Sequence, residues 1–286
     1  MSKFKKVAAS DLDGTIVKEG NILTNSNKQL IKEFMQKTNN AFTIVTGRNY
    51  FSALQHAIDL DVSLPIITTN GTSLIDPKTH QYIAQHHFTN QEGNEILDVL
   101  YENGFDFYLL NDIKIYALET IHFADKDHQE KHNFVNSLDD LTHFYKTRDE
   151  LYHAIKENVK GSFTSLNVSC YSEEEYNSAM KTLSKFELAT LKFDYKDLIT
   201  IEIYKKGAGK DWGLKALAKY LEISEDNIYV FGDEFNDYPM FRNFKNTYAV
   251  GNAIPGIKEL AKEVILPIDQ DGVGKKLLEL VEEFKK

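Results

Sequence analysis

The chain has 286 residues, 42% hydrophobic, 27% charged and 12% aromatic, which is the balance of a folded globular protein and excludes a disordered or fibrous one. Lys+Arg 33 against Asp+Glu 43 leaves a net charge of −10, so the overall field repels both nucleic-acid phosphates and anionic lipid. No nucleic acid and no membrane are expected as partners, and an anionic ligand must find local positive charge in its site, from a metal, a lysine or a helix N-terminus. Cys170 is the sole cysteine, so no intrachain disulfide can form, which fits a reducing cytosol. The N-terminal apolar run is too short for a signal-peptide core, and no stretch approaches the roughly 18 apolar residues of a membrane span. A cytoplasmic protein is expected, with about two domains at roughly 150 residues each.

The first 80 residues alternate strands and amphipathic helices. Lys6 to Ser10 reads as a strand, Ser26 to Lys37 as a helix with Ile31, Phe34 and Met35 on one face, and Ala41 to Val45 as a second strand. Asn49 to Leu60 is helical, Ile66 to Thr69 is a third strand after Pro65, and Asn70-Gly71 is a turn. This βαβαβ rhythm predicts a parallel sheet with right-handed crossovers. The rhythm then changes: FDFYLL and IKIYAL flank a hairpin turn at Asn111-Asp112, SFTSLNVSCY reads as a strand, and Glu173 to Lys185 as a helix begun by acidic residues. From Ile199 the βα rhythm returns, with LITIEIY, a helix Asp211 to Leu221, the strand IYVFG, a helix near Asn236 to Asn243, NTYAV, a helix Pro255 to Lys262, EVIL and a terminal helix. The predicted architecture is α/β, with a discontinuous Rossmann-like core over residues 1–80 and 190–286 and an inserted α+β domain over 81–189.

In open parallel sheets ligands bind beyond the carboxyl ends of the strands. Asp11-Leu12-Asp13-Gly14-Thr15 follows VAAS, Thr46-Gly47-Arg48 follows FTIV, and Asp233-Glu234-Phe235-Asn236-Asp237 follows YVFG. Any one of these loops could be a helix cap or turn, since Asp, Thr and Asn are common there. Three at one rim crowd carboxylates together, and a hard divalent cation with oxygen ligands is the usual relief.

DLDGT, TGR, GAGKDWGL and GDEFND, in that order, resemble the four motifs of the haloacid dehalogenase (HAD) superfamily of phosphatases. YAVGNA, DGVGKKLLEL and the NGT at Asn70 to Thr72 are similar to the Cof-like subgroup of sugar-phosphate phosphatases. These matches span roughly residues 5–80 and 198–286. The middle segment carries no matching motif and is assigned by position and size to that subgroup's cap. Ser10, Val250 and Asp211 depart from the subgroup's pattern, where a bulky apolar residue, Met and Gly are usual, and leave the catalytic set intact.

The resemblance implies a Mg²⁺-dependent phosphatase acting on small phosphorylated metabolites, sugar phosphates first and phosphorylated cofactors such as flavin or pyridoxal derivatives second, with Asp11 as nucleophile forming an aspartyl-phosphate and Asp13 as general acid and base. It implies magnesium on an Asp11 oxygen, the Asp13 backbone carbonyl and Asp233. Thr46, the Gly47 backbone, Lys210 and Asn236 would hold the phosphoryl oxygens, and Asp237 would order metal-bound water or Lys210. The insertion would act as a lid. Two alternatives remain open: a phosphosugar mutase of the phosphomannomutase type, and a non-catalytic sugar-phosphate sensor that kept the fold.

Other motif readings fail on spacing. An EF-hand wants Gly where Ile16 stands, a P-loop would put its first glycine on Tyr204, and a dinucleotide fingerprint would need glycine at Trp212. His122, His128, His132, His143 and His153 lie in the inserted region with no cysteine accompanying them and no HExxH pattern, and are read as packed or solvated imidazoles rather than zinc ligands. The aromatic residues of the insertion are read as core, and oligomeric state is not legible.

Overall fold

The structure, a computed structural model, describes residues 4–111, 114–120, 142–159, 162–195 and 197–286. It divides into two compact units, one of Met1–Gln85 with Gly209–Lys286 and one of His86–Ala208. Each has its own core. Among the described residues no helix is long and apolar enough to cross a membrane.

The first unit begins with β1 (Val7–Ser10), β2 (Phe42–Ile44), β3 (Ile66–Thr68), β4 (Ser73–Ile75) and β5 (Tyr82–Gln85). The second contributes β6 (Phe88–Thr89), β7 (Asp106–Leu110), β8 (Ile115–Leu118), β9 (Thr142–Tyr145), β10 (Ser162–Phe163), β11 (Ser165–Cys170), β12 (Leu188–Tyr195) and β13 (Leu198–Lys205). The chain then returns to the first unit with β14 (Ile228–Gly232), β15 (Asn246–Ala249) and β16 (Glu263–Val264).

The sheet of the first unit is parallel, in the order β16-β15-β14-β1-β2. β1, β2, β14 and β15 are buried throughout, as expected of parallel strands covered on both faces. The helix Asn25–Lys37 shows how sequence sets the packing. Thr24 caps it by accepting the Asn27 N–H, and Ile31, Phe34 and Met35, spaced along one stripe, are buried. Burying each such side chain contributes about 1.5–3 kcal/mol. Phe34 also meets Phe284 of the C-terminal helix edge to face at 5.0 Å.

Topology then positions the site. β1 lies between β14 and β2, so the chain leaves it toward one side of the sheet early and occupies the other side late. Ser10 is in register with Ile44 on one flank and with Phe231 on the other. The loops after β1, β2 and β14 therefore emerge side by side at such a switch point, where α/β sheets open a crevice.

The third predicted strand needs correcting. β3 does not extend the parallel sheet as a full strand; it touches the end of β2 through one parallel bridge, Val45 to Ile67, and pairs antiparallel with β4, which pairs with β5. Asn70-Gly71 is the tight connection of this hairpin, with Asn70 at φ 51° and Gly71 at φ 91°. A hairpin was not anticipated because SLI is only three residues long.

In the second unit a six-stranded sheet runs β12-β13-β11-β7-β8-β9, antiparallel except for β8 with β9. Alternation puts Phe107, Leu109, Leu166, Val168, Cys170, Ile199, Ile201 and Ile203 into its core with the helices Asn90–Glu102, Arg148–Asn158 and Glu173–Leu183. Two of these helices start in capping boxes, Thr89 with Glu92 and Thr147 with Glu150. Residues 190–208, read from sequence as core, belong here: LITIEIY is β13, the partner of β11 and β12. Its apolar run fits the returning βα rhythm, because periodicity alone does not distinguish a buried parallel strand from a covered antiparallel one. Conversely β5, inside the expected insertion, belongs to the first unit. SFTSLNVSCY breaks at Thr164 into β10 and β11.

The hairpin of β7 and β8 closes with the Asn111 N–H donating to Lys114 O, while Asp112 lies outside the described residues. So do His122, His128 and His132. His143 rests near the Tyr116 ring and His153 against Tyr152.

Candidate active site

All eight residues singled out from the sequence lie in the first unit. Asp11 follows β1 and is anchored by its N–H to Phe231 O at 3.0 Å. Ser10, where a bulky residue was expected, donates from Oγ to the Asp11 carbonyl at 2.8 Å. The chain then folds tightly, with Ile16 and Val17 N–H groups both on Leu12 O. Gly14 sits at φ 74°, and a Cβ there would lie 2.0 Å from Asp233 Oδ2. Glycine is thus what lets the first and last loops touch. Thr15 Oγ1 donates to Asp233 Oδ1 at 2.7 Å, and Asn252 of YAVGNA donates to Gly14 O at 2.7 Å.

Lys210 opens the helix Lys210–Leu221 and is fully buried. Its Nζ lies 2.9 Å from Asp11 Oδ1 and 2.6 Å from Asp237 Oδ1. Asp237 turns its other oxygen back on its own loop, accepting from Asp233 N at 2.7 Å and Glu234 N at 3.1 Å. The predicted helix here is a 3₁₀ turn, Phe235–Asp237, followed by Tyr238–Asn243.

The middle loop supplies donors. The Thr46 hydroxyl accepts from the Arg48 N–H at 3.1 Å, and its proton has no acceptor among the described residues. Gly47 lies beneath two amides, so that a Cβ would come within 3.0 Å of Asn70 Oδ1 and 3.2 Å of Asn236 Nδ2. Asn236 Nδ2 donates to Asn70 Oδ1 at 3.0 Å, and its buried Oδ1 has no partner among the described residues. Asn70 was missed as a site residue, although NGT was noticed. The β3–β4 turn also braces Lys210, because Gly71 approaches Gly209 so closely that a Cβ would lie 2.0 Å from its carbonyl oxygen.

Asp13 stands apart. Its side chain is 57% exposed, and Arg48 grips both oxygens, Nε to Oδ2 at 2.7 Å and Nη2 to Oδ1 at 2.5 Å. Arg48 was also missed as a site residue. The signal was in TGR: a cation two residues after Thr46, in a rim otherwise rich in carboxylates.

A sequence model of the haloacid dehalogenase-like hydrolase family matches residues 8–277. The chain belongs to that family. Among similar proteins, a 5-amino-6-(5-phospho-D-ribitylamino)uracil phosphatase, YwtE of Bacillus subtilis, is 27% identical over 279 residues, covering 94% of this chain and 96% of its own. A haloacid dehalogenase-like hydrolase from B. subtilis superposes with a TM-score of 0.77 at 22% identity, over 96% of this chain and 99% of its own. The HAD subclass IIB sugar phosphatase BT4131 gives 0.72 at 20% identity, over 96% and 98%. These two structures share the fold.

In this hydrolase, Asp11, Asp233 and Asp237 offer oxygens that all lie within 4.8 Å of one another. One lysine cannot balance three carboxylates. Burial drives the Asp11 carboxyl up, only partly offset by Lys210, and burial with the Asp237 charge pushes Asp233 up to about 7. Burial alone would lower Lys210, but Asp11 and Asp237 more than reverse that and keep it charged. Asp13 behaves oppositely: the desolvation that the surrounding loops impose on this partly exposed group is outweighed by the Arg48 hydrogen bonds and charge, and it falls below the ordinary value. A crowded, partly frustrated oxygen cluster of this kind fits a divalent cation, which would relieve the repulsion that Lys210 leaves.

This has a measurable consequence. In metal-free hydrolase, Asp233 binds a proton in the folded state at pH values where the unfolded chain, near 3.8, has lost it. Stability from this group is therefore lost as pH rises toward and through about 7. Metal-free protein is expected to melt higher at about pH 6 than at about pH 8, and added Mg²⁺ is expected to shrink the difference by favouring the ionised carboxylates. A metal-free melting temperature that climbs across this range would contradict the raised Asp233.

Proposed function

We propose that this hydrolase is a Mg²⁺-dependent phosphatase of small phosphorylated metabolites, sugar and sugar-alcohol phosphates foremost, working through an aspartyl-phosphate on Asp11. The observation that carries the reading is the buried Asp11 carboxylate 2.9 Å from a fully buried, doubly paired Lys210. A stabilising ion pair alone does not call for two further buried carboxylates beside it, whereas a nucleophile beside a cation site does.

In the first half-reaction Asp13, which Arg48 holds ionised in the free protein, first takes up the proton that a monoanionic phosphate ester brings in; an Asp11 oxygen then attacks phosphorus, the ester P–O bond breaks, and Asp13 passes that proton to the departing oxygen. In the second, Asp13 takes a proton from water as the water oxygen attacks phosphorus, and the Asp11–phosphorus bond breaks to release phosphate. Thr46 Oγ, the Gly47 N–H and Lys210 supply the donors for the phosphoryl oxygens, and the Asn236 amide stands over the same loop. Asp237 keeps Lys210 in place. Mg²⁺, held by Asp11, the Asp13 carbonyl and Asp233, would neutralise phosphoryl charge.

The preference for polyhydroxylated leaving groups is supported by two similar proteins, one named for a phosphoribitylamino substrate and one for sugar phosphates. Phosphate release from a panel of sugar, sugar-alcohol and aryl phosphates, with Mg²⁺ and with EDTA, tests the reading. Folded, Mg²⁺-loaded protein that turns over nothing in the panel would remove it. Asp233→Asn is expected to raise the Mg²⁺ concentration for half-maximal rate by roughly 10-fold or more. An unchanged magnesium titration would take Asp233 out of the cation site.

A further inference from the structure

The Asp13–Arg48 pair differs from an ordinary surface salt bridge. Exposed pairs are held loosely and contribute about 0–1 kcal/mol. Here the Arg48 side chain is only 12% exposed and uses a bidentate fork, so the arrangement fixes direction as well as charge. The fork is braced from behind. Arg48 Nη1 donates to Asn21 Oδ1 at 2.8 Å, and His56 Nε2 lies 2.8 Å from the same oxygen. Asn21 occupies the left-handed region at φ 60°, in a turn whose ends are joined by Lys18 and Ile22 N–H groups donating to each other's carbonyls. The Arg48 backbone is fixed as well, with its N–H on Thr46 Oγ1 and its carbonyl accepting from Thr69 N at 2.7 Å.

We propose that Arg48 is a positioning residue for Asp13: braced by Asn21, it sets where the Asp13 carboxyl stands relative to the leaving group. This rests on the phosphatase reading, in which Asp13 is the proton donor. Asp11 is pinned by Lys210 and the sheet, whereas the Asp13 side chain leaves the tight loop into a more open space, where a free carboxyl would sample several rotamers. One oxygen stays on the fork while the other carries the proton for the leaving oxygen, and once the proton taken from water has been released to solvent both oxygens return to Arg48, as in the structure. Arg48 thereby acts through Asp13 and makes no demand on the phosphate.

Leaving-group dependence separates this role from its competitors. Sugar phosphates expel a strongly basic alkoxide that needs a proton, whereas p-nitrophenyl phosphate expels a stable phenolate that does not. Arg48→Gln is expected to lower kcat for a sugar phosphate by on the order of 10²-fold and to slow p-nitrophenyl phosphate far less, with inhibition by inorganic phosphate unchanged. Asn21→Ala, a smaller change, is expected to show the same selective loss at reduced size. In the Asp13→Asn background, Arg48→Gln is expected to add little, because both act on one step. Equal loss on both substrates with weakened phosphate inhibition would overturn the proposal and make Arg48 a phosphate ligand. If Asp13→Asn is strongly leaving-group dependent but Arg48→Gln is not, Arg48 alone loses its role. If Asp13→Asn itself shows no such dependence, the acid assignment falls, and the proposal with it.

Discussion

Asp11→Asn is expected to abolish turnover, lowering kcat by roughly 10⁴–10⁶-fold, while the protein stays folded. The amide keeps the shape of the carboxyl but has no anionic oxygen to attack phosphorus. Folding is expected to survive because Asp11 is a strained member of its cluster: burial and the neighbouring Asp237, Asp233 and Asp13 all disfavour its charge, against Lys210 alone. Lys210 keeps Asp237 at 2.6 Å. Two measurements check this together, phosphate release under saturating Mg²⁺ and thermal unfolding of the metal-free protein. Residual activity within about 100-fold of wild type would remove Asp11 as the nucleophile. A large fall in melting temperature would mean that Asp11 is chiefly structural.

Lys210→Met is expected to do both kinds of damage. Among the described residues the ammonium is the one cation set against three buried carboxylates, and removing it leaves Asp11 and Asp237 facing each other without compensation. Breaking a buried ion pair from one side costs about 3–5 kcal/mol. In a protein of this size that is a drop of roughly 6–15 °C in melting temperature. Activity is expected to fall as well, since an uncompensated Asp11 is driven further toward its protonated, non-nucleophilic form. A Met variant that melts within about 2 °C of wild type would show that the pair contributes nothing net, as some buried pairs do. The contrast with Asp11→Asn is the useful part: one substitution relieves the charge imbalance and the other worsens it, so their stability effects should differ in size or sign although both silence the enzyme.

Much of the parallel core was legible because its signals are local. β1, β2 and β14 are short apolar runs, and the helix after β1 carries an apolar stripe at Ile31, Phe34 and Met35. The hairpin strands β4 and β5 were missed because runs of 3 and 4 residues carry too little pattern, and β13 was placed in the wrong unit for a different reason. A strand's partner is a long-range choice, and an apolar run such as LITIEIY fits a parallel or an antiparallel sheet equally well until its neighbours are known.

The site divides in the same way. Sequence alone determined which residue types stand after which strands, and the order of the DLDGT, TGR, GAGK and GDEFND motifs was enough to indicate a hydrolase of this family and to name Asp11, Lys210 and Asp233. What tertiary structure decided is pairing. Lys210 chooses Asp11 and Asp237, Gly14 makes room for Asp233, Asn70 reaches Asn236, and Arg48 takes Asp13 away from the cluster of three. Those choices depend on distances of a few ångströms between loops far apart in the chain. They are set by strand register and tight turns, and electrostatic energy varies steeply over just such distances.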